Sequence, residues 1–535
     1  MNTTPLTIGR YVGQLIAANG IDTVFGIPGV HTLELYRGLA SSGLRHVLVR
    51  HEQAAGFAAD GYARVTGRPA AAFVISGPGV TNILTSVAQA YSDSVPMLVV
   101  ASTPVRASLG KKWGVLHELR EQRALVAAVL DSAYAAACAE DIRDQLRAAF
   151  ASFRLGRARP AYLQIPLDLL AQTTTLRAQR FDDASELPHP QTQLIDQART
   201  MLQNARRPVI IAGGGARAAA PQLRQLVEAL DGFLVTTAAG KGLLPEAHPA
   251  NLGASLPYPE TQELIAQADV VLAVGTELGE TDVYTTTQLP FSGQLIRIDV
   301  DQEKLADHYE AAVRLRGDAA TTLAAIAQGV KPRSGWRSLA GNSQAHRSRL
   351  EARFDEHNLA RMAALKAIRN ALPADAAVFS DMTQIAYLGN YGFSADIPGT
   401  WFHPSGYGTL GYALPAALGA KLAAPERAVV ALAGDFGLQF TLHELVTAVE
   451  LEQSLPIVIW NNGALGQIRD DMIATGIEPL AVVARNPDFP AFAAACGACG
   501  TRVTSPAALT QAVRTALKRR GPTLIEVLAS DFLVA

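Results

Sequence analysis

The sequence predicts an α/β protein built from three domains, each a doubly wound parallel sheet. Short apolar runs alternate with helix-period segments along the chain, which is typical of strand–helix–strand units. Many of these runs end in small-residue turns, as Pro208–Ala212 does before the glycines 213–215. A length of 535 residues predicts about three or four domains. We place three, at 1–175, 190–330 and 355–535.

Composition and charge narrow the class of protein. Hydrophobic residues make up 49% of the chain and the net charge is −2, so nothing favours binding to nucleic acid or to an acidic membrane surface. The three cysteines argue against a disulfide framework and for a reducing compartment. The N-terminus lacks the pattern of a signal peptide, and no apolar run reaches the ~20 residues of a membrane span. We therefore expect a soluble cytoplasmic protein.

The first domain alternates strands and helices and delivers a glutamate at the end of a strand. The predicted strands are Thr23–Gly26, Val47–Arg50, Ala70–Ile75, Met97–Ala101 and Ala161–Ile165. Glu52 follows the second of these strands and precedes a helix of small residues, so it should be little exposed. A buried carboxylate is costly without a partner. It either accepts hydrogen bonds from the free N–H groups of the helix start or has a chemical role.

The middle domain offers a glycine cluster and a pair of strands. Asp269–Val274 and Leu295–Val300 are predicted strands, and Gly213-Gly214-Gly215 follows another. The glycines invite a nucleotide-binding interpretation, but a simple strand–helix turn also uses glycine. We favour no bound cofactor in this domain.

The last domain places an acid and two amides after neighbouring strands. The strand Ala428–Ala433 leads to Asp435, a helix spans roughly 441–451, and the strand Pro456–Trp460 leads to Asn461-Asn462. A right-handed crossover brings both strand ends to one edge of the sheet, where open parallel sheets bind ligands. The carboxylate and amide oxygens of these residues are suitable ligands for a Mg²⁺ or Ca²⁺ ion that is also bound to phosphates. The alternative is an ordinary strand–helix–strand unit with a capping acid.

This spacing resembles the thiamine diphosphate motif of the acetolactate synthase and pyruvate decarboxylase superfamily. The resemblance implies that Asp435, Asn462 and the carbonyl of Ala464 bind Mg²⁺. It also implies that the turn of Gly434, Phe436 and Gly437 approaches the diphosphate. Phe436 departs from the pattern, since the family usually has glycine there, and the geometry of this turn is left open.

The first domain resembles the pyrimidine-binding domain of the same superfamily. The matching segments are GIPG at 26–29, HEQAAGFAADGYAR at 51–64 and SGPGVTN at 76–82. The resemblance implies that Glu52 hydrogen-bonds N1′ of the thiamine pyrimidine and favours removal of the C2 proton of the thiazolium. His117, in a polar loop, and His31, after the IPG turn, are candidates for proton exchange near the substrate.

Two further segments complete the implied cofactor site. By resemblance Gln384 contacts the diphosphate, and the loop HPSGYGTLG at 403–411 lets backbone approach a ligand. The Gly408 carbonyl would accept a hydrogen bond from the 4′-amino group. Leu410 would be the apolar wedge between the two cofactor rings, with plain core packing as the alternative.

The segment GQIRDDM at 466–472 offers carboxylates for a cationic substrate. A guanidinium group pairs bidentately with a carboxylate. Asp470 and Asp471 are the candidates, with Asp282 and Glu118 as substitutes. The segments GIPGVHTLELYRGL, LGKKWG, AGKGLLP and GQIRDDM resemble the 5-guanidino-2-oxopentanoate decarboxylase branch.

Two of the three cysteines lie close together near the C-terminal end of the sequence. Cys496 and Cys499 form a CxxC within FAAACGACG, which we interpret as small residues of an apolar helix. Metal binding usually needs further ligands at suitable spacing, and none is present.

The predicted function is non-oxidative decarboxylation of a 2-oxo acid with thiamine diphosphate and Mg²⁺. The expected reaction converts 5-guanidino-2-oxopentanoate to 4-guanidinobutanal and carbon dioxide. The alternatives are an acetolactate-synthase-like carboligase that joins 2-oxo acids, and a non-catalytic regulatory relative, against which Glu52, Asp435 and Asn462 speak. The resemblance also implies a homodimer or homotetramer with its sites at the subunit interface.

Overall fold

The computed structural model describes residues 5–182, 187–284, 286–337, 341–483 and 485–533. It contains three fully parallel sheets of six, five and six strands. Alternate residues of each sheet enter different core clusters: Phe25 and Ala72 in one, Val24 and Ala71 in another. Both faces are therefore covered, as buried parallel sheets require. The predicted fold class is confirmed.

The first sheet has the strand order β3-β2-β4-β5-β7-β6, and two further short strands, β1 and β8, pair antiparallel beside it. The six strands of the sheet are β2 Thr23–Gly26, β3 Arg45–Leu48, β4 Ala70–Val74, β5 Met97–Thr103, β6 Ala133–Ala135 and β7 Ala161–Pro166, and the separate pair is β1 Leu6–Thr7 and β8 Thr173–Thr174. Its helices are α1 Ile8–Ala18, α2 Leu33–Ser42, α3 Glu52–Thr66, α4 Pro78–Ser92, α5 Gln122–Ala127, α6 Ala139–Leu155 and α7 Leu167–Leu170.

The central sheet has the order β10-β9-β11-β12-β13. Its strands are β9 Pro208–Ala212, β10 Phe233–Thr236, β11 Val270–Val274, β12 Gln294–Asp299 and β13 Val313–Arg316. Its helices are α8 Thr192–Asn204, α9 Ala220–Leu230, α10 Pro259–Ala266, α11 Glu280–Val283, α12 Gln302–Leu305 and α13 Ala319–Ala327. A Cβ on Gly213 would lie 2.4 Å from the Gly275 carbonyl oxygen, so close turn packing accounts for this glycine.

The last sheet has the order β15-β14-β16-β17-β19-β18. Its strands are β14 Ala377–Ser380, β15 Trp401–Phe402, β16 Val429–Gly434, β17 Pro456–Asn461, β18 Cys499–Val503 and β19 Thr523–Leu528. The helices are α14 Ser343–Glu351, α15 Glu356–Ala371, α16 Gln384–Gly392, α17 Ala413–Ala423, α18 Asp435–Gln439, α19 Glu444–Glu450, α20 Gly466–Ala474, α21 Phe489–Ala495 and α22 Pro506–Lys518.

The first and last sheets share one strand order, so equivalent helices occupy equivalent places. Helix α3 follows β3 and helix α17 follows β15, its counterpart, and the two helices pack together. The contact is made through glycine: a Cβ on Gly61 would lie 1.9 Å from the Ala416 carbonyl oxygen, and one on Gly419 1.9 Å from that of Ala58. One apolar core joins both sheets through these helices.

Several element boundaries differ from the predictions. The predicted strand Val47–Arg50 is Arg45–Leu48, and the helix predicted over roughly 441–451 begins at Glu444, after the separate helix α18. The expectation for the cysteine pair was wrong in part, because Cys496 caps α21 and Cys499 begins β18. Both thiols are partly exposed. In the part of the chain that the structure describes, no helix is long and apolar enough to cross a membrane.

Candidate active site

The carboxyl ends of β14 and β16 form the crevice where the strand order of the last sheet reverses. Chain connections leave in opposite directions from this point, and open α/β sheets bind ligands there. Asp381 follows β14, and Asp435 follows β16 at the start of α18. A Cβ on Gly434 would lie 2.9 Å from Thr383 Oγ1, so the two turns are in contact. The predicted diphosphate-binding turn therefore lies at the switch point.

Asp435 is a buried carboxylate, with 2% of its surface exposed. Asn486 Nδ2 donates to its Oδ2 at 2.6 Å and to Asn461 Oδ1 at 3.0 Å, and the Asn462 main-chain N–H also donates to Asp435. Burial raises the pKa of Asp435, while these hydrogen bonds oppose the rise. A bound cation would offset the free-energy cost of burying this carboxylate in its charged form.

Asn462 joins the acid to Gln384. Its Nδ2 donates to Gln384 Oε1 at 3.2 Å, and its Oδ1 accepts from the Ala464 N–H at 3.2 Å. Carboxylate, amide and carbonyl oxygens at one strand end are a donor set that suits Mg²⁺. Among the described residues no cluster of three His, Cys, Asp or Glu side chains could hold a metal, so a metal here would depend on this mixed set.

Phe436 fits the turn in which glycine was expected. It lies within helix α18 and has no positive φ, so its backbone is open to any residue with a side chain. Its ring stands 6.4 Å from that of Phe440. The departure at Phe436 therefore leaves the turn geometry regular.

The glycine-rich loop is fixed by an acid that the sequence analysis did not single out. Asp381 is buried, and both its oxygens accept from the Gly411 N–H at 3.1 and 3.0 Å. Burial raises the pKa of Asp381 to about 7. Gly408 has φ +70 and a Cβ on Gly437 would lie 3.4 Å from Leu410 Cδ2. Leu410 is partly exposed over Gly437, which disfavours plain core packing.

Glu52 lies in the first sheet region, at the start of α3, with 9% of its surface exposed. Asn82 Nδ2 donates to its Oε2 at 2.9 Å, and no described residue donates to Oε1. The cap of α3 is His51, whose Nδ1 accepts from the Gln53 N–H. Buried Glu444 accepts from the N–H groups of Arg50 and His51 at 2.8 and 3.1 Å. The acid is thus held by a side-chain amide on a braced turn.

His31 and His117 lie together at the neighbouring strand ends. Their ring centroids are 5.1 Å apart, edge to face, and His31 Nδ1 contacts Ser76 Oγ at 2.7 Å. Burial, and then the nearby His117, lower the pKa of His31. His117 has φ +60, and its buried Nδ1 has no partner among the described residues. The structure therefore brings the two predicted histidines into contact, and their role in proton exchange stays a prediction.

Helix α4 contacts Glu52 near its first turn and the glycine-rich loop near its last turn. Asn82, which holds Glu52, lies near the start of the helix, whereas Gln89 accepts from Thr409 N–H and Oγ1 at 3.2 and 2.8 Å. Seven residues of α-helix span about 10 Å. Within one chain, the Glu52 end and the Gly408 loop are therefore held apart.

Asp470 and Asp471 lie near Gln384 and Asn462, but the two carboxylates have different hydrogen-bond partners. Arg469 Nε and Gln384 Nε2 donate to Asp470 at 3.1 and 2.7 Å, whereas Asp471 is exposed and accepts from Gln467 at 3.0 Å. A cavity of about 380 Å³ beside them is lined by Arg361, Gln384, Asn462 and Arg469, among others.

Four contact residues escaped the sequence analysis: Asn82, Asp381, Glu444 and Asn486. Asn82 lies in the segment SGPGVTN at 76–82, and Asp381 directly follows a strand. Either position could have indicated a site residue from the sequence. Nothing in the sequence pairs Glu444 with residues 50 and 51, or Asn486 with Asp435, because those contacts join distant segments.

These features define a three-domain thiamine diphosphate enzyme, and comparison with known families agrees. Residues 6–125, 195–326 and 381–527 match the N-terminal, central and C-terminal domains of thiamine pyrophosphate enzymes. The chain belongs to this family.

Its relatives cover nearly the whole chain. A probable 2-ketoarginine decarboxylase of Pseudomonas aeruginosa is 49% identical over 98% of this chain and 94% of its own. The large subunit of acetolactate synthase isozyme 3 of Escherichia coli is 31% identical over 96% and 92%. A probable acetolactate synthase large subunit of Methanocaldococcus jannaschii is 27% identical over 96% and 90%.

Proposed function

We propose that this protein decarboxylates 5-guanidino-2-oxopentanoate, releasing 4-guanidinobutanal and carbon dioxide. By family and by relatives, the chain is a thiamine diphosphate-dependent 2-oxo acid decarboxylase. The observation that carries the proposal is the coexistence of a braced Glu52 with the Asp435–Asn462–Gln384 group. The choice of substrate rests on the relative named for 2-ketoarginine, which is the same 2-oxo acid.

The residues divide the work of binding. Asp435, Asn462 and the Ala464 carbonyl would hold Mg²⁺, and Gln384, Gly434, Phe436 and Gly437 would contact the diphosphate. Gly408 and Leu410 would meet the cofactor rings. Thiamine diphosphate, when bound, supplies the electron sink that decarboxylation requires.

Proton handling falls to Glu52 and the two histidines. Asn82 occupies Oε2 of Glu52, which leaves Oε1 to hold a proton against the pyrimidine ring. His31, whose pKa is lowered by burial, is neutral near pH 7 and can accept a proton. His31 and His117 together can then return a proton to the product side of the pocket.

We also propose that each site is shared between two chains. The separation of the Glu52 end from the Gly408 loop along α4 supports a site that takes Glu52 from one chain and the Asp435 group from another. The assembly would be a homodimer or a homotetramer. The domain limits 1–175, 190–330 and 355–535, and a central domain without cofactor, also stand as proposals.

The second candidate is a carboligase, favoured by the acetolactate synthase relatives that match the whole chain. A non-catalytic role is disfavoured by the joint presence of Glu52, Asp435 and Asn462. The products separate the two enzymes, because a decarboxylase releases an aldehyde and a carboligase a hydroxy-keto acid.

The test is carbon dioxide release by the enzyme loaded with thiamine diphosphate and Mg²⁺, with 5-guanidino-2-oxopentanoate or pyruvate as substrate. We expect rapid turnover of the guanidino acid to its aldehyde. Preference for pyruvate with acetolactate as product would replace the proposal by the carboligase. Failure to release carbon dioxide from the guanidino acid would refute the substrate assignment.

A further inference from the structure

The short helix α11 stands between two strained residues. It follows β11. Leu278, two residues before the helix, has φ +52, and Tyr284, directly after it, has φ +41. Positive φ in residues with bulky side chains is costly and is kept where the surroundings impose it, often at functional sites. Asp282 lies in this helix, between the two strained residues.

Asp282 lies close to the glycine-rich loop of the cofactor site. Its carboxylate is near enough to Asp93 for their charges to interact, and Asp93 Oδ1 accepts from the Gly406 N–H at 2.8 Å. Gly406 is two residues from Gly408. Asp282 is thus within electrostatic range of the residue that holds the loop that would meet the cofactor rings.

Two tyrosines connect Asp282 with the substrate side of the last sheet region. Burial, and then the nearby Asp282 carboxylate, raise the pKa of Tyr284. Burial, and then the nearby Tyr284, raise the pKa of Tyr387 to about 12. The carboxylates of Asp381 and Asp471 also contribute to the raised pKa of Tyr387. Asp282 and Tyr284, and likewise Tyr284 and Tyr387, are therefore within electrostatic range of each other.

The carboxylate of Asp282 lacks a partner. In the described parts of the chain, no hydrogen bond or ion pair reaches it, whereas Asp470 is bonded to Arg469 and Gln384. Burial, and then Asp93, raise the pKa of Asp282 to about 7. A partly buried carboxylate without a donor is stabilised by a cation that brings its own N–H groups.

We propose that Asp282 binds the guanidinium group of the substrate, with the Tyr284 and Tyr387 rings beside it. This inference rests on the proposed function and adds the residue that selects the cationic tail. The guanidinium offers paired N–H donors to the carboxylate, and its flat face can stack on a tyrosine ring. Asp470 then serves to hold Gln384.

The experiment compares two substrates of nearly equal shape on the loaded enzyme: 5-guanidino-2-oxopentanoate and its uncharged analogue 5-ureido-2-oxopentanoate. For Asp282→Asn we expect kcat/KM to fall about 10- to 100-fold with the guanidino acid and less than about threefold with the ureido acid. The matched control is Glu280→Gln, which removes an exposed carboxylate from the same helix and should leave both values unchanged. Asp282→Glu, which keeps the charge, should restore part of the discrimination.

Binding of 5-guanidinopentanoate, which lacks the reactive carbonyl, separates this inference from the proposed function. Calorimetry should show at least tenfold weaker binding to Asp282→Asn than to the unmodified enzyme, even if the guanidino 2-oxo acid is not turned over. Equal discrimination and equal binding in Asp282→Asn would overturn the inference. A selective loss in Asp471→Asn with none in Asp282→Asn would also overturn it.

Discussion

One oxygen of the Glu52 carboxylate is hydrogen-bonded, and the other has no donor among the residues that the structure describes. Asn82 donates to Oε2 at 2.9 Å, and Glu444 fixes the preceding turn through two N–H groups. The held oxygen keeps the side chain in one orientation at little cost in entropy during binding. In the proposed function, Oε1 is the oxygen that would meet the cofactor ring.

The first prediction concerns this acid. Glu52→Gln should lower kcat for decarboxylation about 10²- to 10⁴-fold, since a positioned acid–base group is worth that range, while thiamine diphosphate binds within about tenfold of normal. The rate of carbon dioxide release measures kcat, and calorimetric titration with thiamine diphosphate measures cofactor affinity. Glu34→Gln, at an ion pair with Arg37, is the control and should be neutral. An unchanged kcat in Glu52→Gln would remove the assigned role.

The second prediction is a pH dependence that follows from Asp282. Its raised pKa of about 7 means that the carboxyl is neutral below this value and pairs with a cation only above it. With the guanidino acid, kcat/KM should rise by up to about tenfold per pH unit towards pH 7 and then level. The groups that interact with Asp282 are Asp93, Tyr284 and Tyr309, and the tyrosines stay neutral in this range.

The ureido acid supplies the comparison for that profile. The ratio of guanidino to ureido kcat/KM removes pH effects common to both substrates, such as those of the histidines. The ratio should climb through pH 7 in the unmodified enzyme and stay flat in Asp282→Asn. A flat ratio in both would contradict the prediction.

At the scale of elements, the packing of α3 against α17 holds the first and last sheets together. The two helices approach closely enough that glycine is required at Gly61 and Gly419, opposite main-chain carbonyls. The contact buries one apolar core shared by both sheets. Because α3 begins at Glu52, this packing also fixes where the acid points.

The third prediction tests this contact. Gly61→Ala places a Cβ 1.9 Å from the Ala416 carbonyl oxygen, so the helices must separate, and overpacking of this kind costs about 1–3 kcal/mol. Calorimetry should show a lower Tm and assays a lower activity. Gly156→Ala, where the added Cβ meets nothing within 4 Å, should preserve the Tm. An unchanged Tm in Gly61→Ala would show that the helices are packed less closely than described.

For the assembled protein, the proposed sharing of each site between two chains would make activity depend on paired chains. The fourth prediction is that co-expressed Glu52→Gln and Asp435→Asn chains complement each other. One site of each mixed pair takes Glu52 from one chain and Asp435 from the other, and is intact. Carbon dioxide release should reach up to about half the unmodified rate in mixed pairs isolated by two tags, while each variant alone stays nearly inactive.

The outcome that contradicts this prediction is equally clear. If each site lay within one chain, every site in a mixed pair would carry one defect, and activity would not recover. Sedimentation of the unmodified protein should show a dimer or tetramer. A monomer with full activity would refute the shared site.

The sequence by itself determined the fold class, the alternation of elements and the residues at the strand ends. Apolar runs fix strands, and the right-handed crossover then places Asp435 beside Asn462 without further information. The motifs around Glu52, Gly408 and Asn462 indicated the family for the same reason, because each is local in the chain.

Contacts between groups far apart in the chain became visible once the three sheets were packed. The tertiary structure paired Asn82 with Glu52, Asn486 with Asp435 and Asp381 with the Gly411 N–H. Among the described residues it gave Asp470 hydrogen-bond donors and gave none to the Asp282 carboxylate. Such pairings depend on how sheets and loops pack across hundreds of residues. Burial and charge proximity, which set the pKa of a carboxylate, exist only once that packing is formed.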